Sequence, residues 1–410
     1  MKKVILALFA FVIVLFLTSC ENDRKKKNDT NSPPDEVEIT PSKPTVNVYV
    51  ENSVSMFGYI SSGNEFDRSI SSLLTSIKVS GYTDSINLFY INSRTFRQNV
   101  DISTFIRRTN IHNAQTWPGD KSKTDMCALF DTVASAVNDS TISIFVSDCI
   151  FSPGKNEDAG NYIGAQKDKI TTTINKKLNS QNLAFIVYRL KSEFKGDYFD
   201  CKDDPTPIND KRPYFIWIIG TAKNIGTFKQ KIPTSKIEGN LQNSFTISKN
   251  KGEITYAIQL HPKIGDFKRT DSKTIINAKK DNDSEKFMFS IAVDFSSLLV
   301  DPSYLIDSGN YDPGNTKYSL EIIAKPMEKY THLIKVTTTS RIISPTKLTI
   351  KLKNKIPDWI YTYSDSTCTN IKNNGMMERT YGLSHIVKGI YKAFNYQQET
   401  LSKIEISINQ

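Results

Sequence analysis

The run Ile142-Ser-Ile-Phe-Val146 is almost wholly apolar, is bounded by polar residues, and leads directly into Ser147-Asp148. A strand of that texture is covered on both faces, which calls for a sheet held between layers of helix. The neighbouring sequence supplies the helices. Glu65–Lys78 places Phe66, Ile70, Leu73, Leu74 and Ile77 at helical spacing. Met126, Leu129, Phe130, Val133 and Val137 repeat that pattern behind a Thr124 or Asp125 cap. Further strands fall at Val46–Val50, Ile86–Ile91, Leu183–Leu190 and Tyr214–Ile219, with helices over Ile163–Leu178 and 222–232. The polar stretch 192–212 reads as an interruption between the last two strands. Strand and helix alternating through 44–235 predict an α/β domain with a doubly wound, mostly parallel sheet.

After 235 the period changes from helical to two. Phe245–Ile247, Ile254–Leu260, Phe287–Phe295, Tyr318–Ala324, Leu333–Thr338 and Leu348–Leu352 alternate between linkers of Asn, Asp, Gly, Lys and Ser. Residues 240–410 are therefore expected to form a β-rich, sandwich-like domain. One helix near 383–394 and a last strand over Ile404–Ile408 complete it. Trp359, Tyr361 and Tyr363 are spaced by two and would share one face of a strand, either filling the core or forming a binding edge. The chain of 410 residues is long enough for both domains.

The first twenty residues do not belong to this fold. Met-Lys-Lys precedes a fourteen-residue apolar run, Val4–Leu17, and then Thr18-Ser19-Cys20. Fourteen helical residues reach about 21 Å, short of the roughly 30 Å hydrocarbon core. The pattern resembles the signal peptide and lipobox of bacterial lipoproteins. That resemblance implies removal of 1–19, lipidation of Cys20, and a cell-envelope location on a membrane, the outer membrane or cell surface. Residues 20–43 are rich in Asn, Asp, Lys, Ser and Pro and read as a disordered tether.

The net charge of +10 overstates any basic face, because Lys2, Lys3 and Arg24–Lys27 lie in the leader and the tether. The remaining lysines are scattered without aromatic interleaving, so no nucleic-acid partner is expected. Besides Cys20 the chain holds Cys127, Cys149, Cys201 and Cys368. Four cysteines allow three pairings and spacing does not choose among them. The α/β fold would bring Cys127 near Cys149, so a bridge between them is one reading and free buried thiols the other.

Two strand ends and one helix start gather oxygen ligands. Val46–Val50 runs into Glu51-Asn-Ser53-Val-Ser55, Thr124 opens a helix, and Asp148 ends the apolar strand. In a doubly wound sheet the binding crevice lies beyond the carboxyl ends of the strands, where Glu51 and Asp148 both sit. Hard oxygens, few of them charged, suit Mg²⁺ or Mn²⁺. Singly, each residue also reads as a turn or cap former. The set Glu51-x-Ser53-x-Ser55, Thr124 and Asp148 resembles the metal-ion-dependent adhesion site of von Willebrand factor A domains, over about residues 44–232. The resemblance implies that Ser53, Ser55 and Thr124 hold the cation and that Glu51 and Asp148 accept hydrogen bonds from its waters. One position would stay open for a partner's carboxylate. The family carries Asp where this chain has Glu51, one methylene longer, and a glycine pair where it has Gly119-Asp-Lys-Ser-Lys.

These features lead to an envelope lipoprotein that binds a protein or glycan partner through an acidic group, with no enzymatic activity. The four histidines are dispersed, and neither a nucleophile elbow nor a phosphate-cradling loop occurs. His112 and Trp117 would lie in a loop near Thr124, Trp117 as a contact residue or a packing anchor. A structural role in an envelope complex with a vestigial metal site is the alternative expectation. A metal-dependent hydrolase using Ser53 comes third, since no general base is visible beside it.

Overall fold

Strand β1 (Thr45–Glu51) lies inside a seven-stranded sheet because its apolar residues are needed on both flanks. It pairs in parallel with β2 (Ile86–Ile91), and β3 (Thr95–Gln98) closes that edge antiparallel to β2. On its other flank β1 pairs in parallel with β4 (Thr141–Ser147), so Val50 stands beside Val146. The computed structural model describes residues 43–409 apart from 61–62, 109–118, 122–124, 250–252, 341–342, 344 and 395–398. The leader, Cys20, nearly all of the tether, His112, Trp117 and Thr124 therefore lie outside the described residues.

Beyond β4 the sheet is antiparallel. Strands β5 (Leu183–Phe199) and β6 (Pro205–Thr221) form one long hairpin, β6 lies against β4, and β7 (Leu241–Ser248) forms the far edge against β5. The order is β3-β2-β1-β4-β6-β5-β7, an α/β architecture with a mixed sheet in place of the mostly parallel one expected. The reason lies in 192–212, which is no interruption. Ser192, Phe194 and Tyr198 are buried at every second position while Glu193, Lys195 and Asp197 face outward. This strand period continues both strands to a tight turn at 200–204, and a tight turn makes its strands antiparallel.

Helices cover the sheet as the periodicity requires. Helix α1 (Glu65–Val79) starts at Asn64, whose side chain accepts the Asp67 N–H, and buries Phe66, Ile70, Leu73, Leu74 and Ile77. Next come α2 (Ile102–Arg108), α3 (Met126–Ser135, capped by Asp125), α4 (Ala159–Leu178, capped by Asp158) and α5 (Ala222–Lys231, capped by Thr221). Trp217 of β6 is fully buried, edge-on to Phe130 of α3 with ring centroids 5.0 Å apart.

Two further sheets share a second apolar core. One has the order β13-β14-β11-β8, the other β12-β15-β18-β10-β9. Their strands are β8 (Thr255–Ile264), β9 (Asp266–Arg269), β10 (Thr274–Lys279), β11 (Phe287–Asp294), β12 (Tyr311–Asp312), β13 (Tyr318–Met327), β14 (Tyr330–Thr338), β15 (Thr346–Lys353) and β18 (Thr400–Ile408). Phe289, Ile291, Val293, Ile334 and Val336 of one sheet meet Leu348, Ile350, Ile404 and Ile406 of the other. A short helix, α6 (Pro302–Ile306), follows β11.

Between β15 and β18 the chain leaves this core and returns to the first. This strap holds α7 (Asp358–Thr362), β16 (Ser364–Asp365), β17 (Thr380–Tyr381) and α8 (Leu383–Ala393). Ile360, Tyr381, Leu383, Ile386, Val387 and Ile390 join the core of the seven-stranded sheet. Helix α8 lies close on α4: Thr171 Oγ1 donates to the Gly389 carbonyl (3.0 Å) and Asn175 Nδ2 to that of Ala393 (3.1 Å). The helix foreseen near 383–394 is thus present but packs with the α/β layers. Trp359, Tyr361 and Tyr363 do not share a strand face, because Pro357 starts a helical turn through the first two.

The cysteines also depart from expectation. Cys201, in the hairpin turn, is bonded to Cys368 of the strap, while Cys127 and Cys149 are free and buried. Cys127 Sγ faces α4, donating to the Gln166 carbonyl (3.3 Å), and Cys149 Sγ accepts Trp217 Nε1–H (3.3 Å). The two thiols point into different layers, which is why they are not bridged.

The hairpin bears directly on the turn that follows β1. Val54–Tyr59 is a 3-10 turn, and a Cβ on Gly58 would enter the Phe194 ring, while one on Gly196 would come within 2.9 Å of Gly58 Cα. Gly58→Ala is expected to lower stability by about 1–3 kcal/mol by overpacking. A denaturant titration beside wild type measures it.

Candidate functional site

Because β1 and β4 are parallel neighbours, Glu51 and Asp148 emerge together at their carboxyl ends. Ser147 Oγ donates to Glu51 Oε2 and accepts the Cys149 N–H (2.8 Å), which ties the two strand ends at this point. In the turn after β1, Ser53 Oγ and Ser55 Oγ stand 3.0 Å apart. The Ser55 hydroxyl faces the Asp148 carboxyl, whose Oδ1 accepts the Ile150 N–H (3.2 Å). Four of the five predicted oxygen residues thus converge. Thr124, the fifth, is outside the described residues.

The cluster is deeply enclosed. Glu51 and Asp148 are each 1% exposed and Ser53 is 4% exposed. Met56 sulfur accepts the Asp148 N–H (3.2 Å), and the hairpin covers the turn through Phe194. Immediately after Asp148, buried Cys149 has φ 56°, a left-handed conformation that a side-chain-bearing residue rarely adopts. Such strain persists only where surroundings impose it, here a sharp bend that turns Asp148 back toward β1.

Burial raises the proton affinity of the Asp148 carboxyl, while its hydrogen bond from Ser55 and the Arg212 guanidinium pull the other way. Burial likewise pushes the Cys149 thiol up, with the Glu51 and Asp148 carboxylates adding to the shift. Arg212 reaches the site from the part of β6 whose polar composition reads as an interruption. Alternating burial in 192–212 was the signal that could have found it. It is 1% exposed, donates to the carbonyls of Met377 and Arg379 (both 3.2 Å), and lies 4.6 Å from the Tyr198 ring centroid.

Three atoms test whether these residues suit a cation. Among the described residues, Asp148 Oδ2 is buried with no hydrogen-bond partner, and so are both side-chain polar atoms of Asn52. A buried acceptor without a donor is costly and calls for an explanation. The serine oxygens are separated as neighbouring ligands would be, since Mg²⁺–oxygen distances of about 2.1 Å put adjacent octahedral corners about 3.0 Å apart. Among the described residues no three His, Cys, Asp or Glu side chains gather at one point. A cation here would rest on hydroxyls and a single directly opposed carboxylate. The donor set fits a hard divalent ion.

If Asp148 must ionise to meet a cation, proton and metal compete. Its raised folded-state pKa means that the protonated form contributes stability at low pH, lost as pH rises through that value. The stabilisation by Mg²⁺ is therefore expected to grow as pH rises from the acidic into the neutral range, and to lose that trend in Asp148→Asn. Thermal melts across that range with and without Mg²⁺ provide the check.

Comparison with known proteins finds no matching family model, no matching curated protein and no matching solved structure. Fold and site define an α/β protein with a mixed sheet and an oxygen-rich cluster where its central parallel strands end. Among the described residues no helix is long and apolar enough to cross a membrane.

Proposed function

We propose that the chain is a recognition protein whose strand-end cluster holds Mg²⁺ or Mn²⁺ and through it binds an acidic group of a protein or glycan. Ser53, Ser55 and Asp148 would contact the ion, with Thr124 as a further ligand. Glu51, held by Ser147, would act on its water shell. A bound cation with so few charged ligands stays electropositive and supplies attraction for a carboxylate. The observation that carries this reading is the orphaned, buried Asp148 Oδ2 beside paired serine hydroxyls. The likeness to an adhesion-type A domain rests on the parallel trio β2-β1-β4 and that cluster. Lipidation at Cys20 would place the body on a membrane of the bacterial cell envelope.

Capture from envelope extracts on the immobilised chain tests it. A partner retained in Mg²⁺, released by EDTA, and absent from Ser53→Ala/Ser55→Ala is the expected result. A partner indifferent to both would favour the second reading, an assembly component with a retired site. The observation behind that reading is the closure of the site: Glu51 is engaged by Ser147 and the hairpin lies over the turn.

A further inference from the structure

A second candidate site lies away from this cluster, at the far edge strand β7. There a cavity of about 300 Å³ opens between β7, the α6 region and the start of the strap. Ligand sites favour such junctions, and this volume is at the lower end of their usual size.

The charges of the wall exclude several ligand classes. Asp301, 5% exposed, is already compensated: Lys229 Nζ lies 3.4 Å away and also donates to Thr246 Oγ1 (3.0 Å). No uncompensated buried carboxylate is left at Asp301 to seat an ammonium group. The wall's other charges are Asp307, Asp358 and Lys355, one net negative charge, which disfavours phosphate and other anions. An apolar ligand would strip water from the exposed Asp307 and Asp358 carboxylates without replacing it.

What remains is a half-buried aromatic surface edged with hydrogen-bonding groups. Trp359, Tyr304 and Tyr391 line the cavity while only partly buried. The Tyr304 hydroxyl is spent on the Lys353 carbonyl (2.9 Å), so it lends the wall a ring. Asp307 accepts the Gly309 N–H through one oxygen (2.9 Å) and keeps further lone pairs for hydroxyl donors. Rings that meet C–H faces, beside carboxylates that accept vicinal hydroxyls, are complementary to a pyranose. We propose that this cavity binds one neutral sugar residue of a glycan.

The test titrates the full chain, in EDTA, with glucose, galactose, mannose and N-acetylglucosamine, followed by tryptophan fluorescence and saturation-transfer NMR. EDTA separates this proposal from the cation-dependent reading, which can fail without affecting it. At least one sugar is expected to saturate with a dissociation constant near ~1 mM, weakened about tenfold or more in Trp359→Ala and in Asp307→Asn. Asparagine retains the Gly309 hydrogen bond, so Asp307→Asn is expected to melt like wild type and to report on binding alone. Three outcomes overturn the proposal: no sugar saturating, binding unchanged in both variants, or choline or inorganic phosphate binding more tightly than every sugar.

Discussion

Replacing Cys201 and Cys368 together by serine is expected to remove about 2–5 kcal/mol of stability. The bond joins residues 167 apart, and chain entropy for a loop of that size puts the upper bound at about 5 kcal/mol. It pins the hairpin turn at 200–204 to the strap that covers the α/β core. Without it the strap retains the Arg189 contact with Glu378 (2.7 Å) and the apolar burial of α8, so the fold should persist. The hairpin tip should fray first, because its outward residues are charged and the disulfide is its covalent tie to the strap. Denaturant titration measures the loss, and faster tryptic cleavage at Lys202 locates it. A loss below about 1 kcal/mol would mean that the tip is held by packing alone.

The second large effect belongs to Arg212. Methionine there keeps much of the side chain's volume but removes the donor shared by the Met377 and Arg379 carbonyls, and the cation above Tyr198. Leaving these part-buried acceptors unpaired costs up to about 1–3 kcal/mol each, offset in part by no longer burying a guanidinium. A net loss of about 2–4 kcal/mol is expected for Arg212→Met. The variant also withdraws a positive charge that repels a cation beside Asp148, so Mg²⁺ affinity should hold or rise while stability falls. Arg212→Lys keeps that charge but should recover little of the stability, since an ammonium lacks the planar fork. Melts and calorimetry on the two variants separate these contributions.

The parallel half of the sheet and its helices were legible because Phe66 to Ile77 and Met126 to Val133 hold a strict helical period. Ile142–Val146 could only be a strand covered on both faces. The strand ends then located Glu51, Ser53, Ser55 and Asp148 together, since parallel neighbours bring their carboxyl ends side by side. The hairpin was missed because Glu193, Lys195 and Asp197 dominate its composition, while the buried alternation of Ser192, Phe194 and Tyr198 is weaker evidence in a polar stretch. With the hairpin went Arg212, the cover over the site and the partner of Cys201. The place of α8 was hidden for another reason: amphipathicity says that a helix packs, and nothing in residues 383–394 says against which core.

Differential scanning of the full chain in EDTA, Mg²⁺ and Mn²⁺, beside Asp148→Ala, tests the central claim that this cluster holds a divalent cation. At about a hundred times its dissociation constant a ligand stabilises by roughly 2.7 kcal/mol, which should raise the wild-type midpoint by about 3 °C or more. That rise is expected in wild type, and none in Asp148→Ala. Equal midpoints in all three conditions for wild type, or an equal rise in the variant, would contradict it.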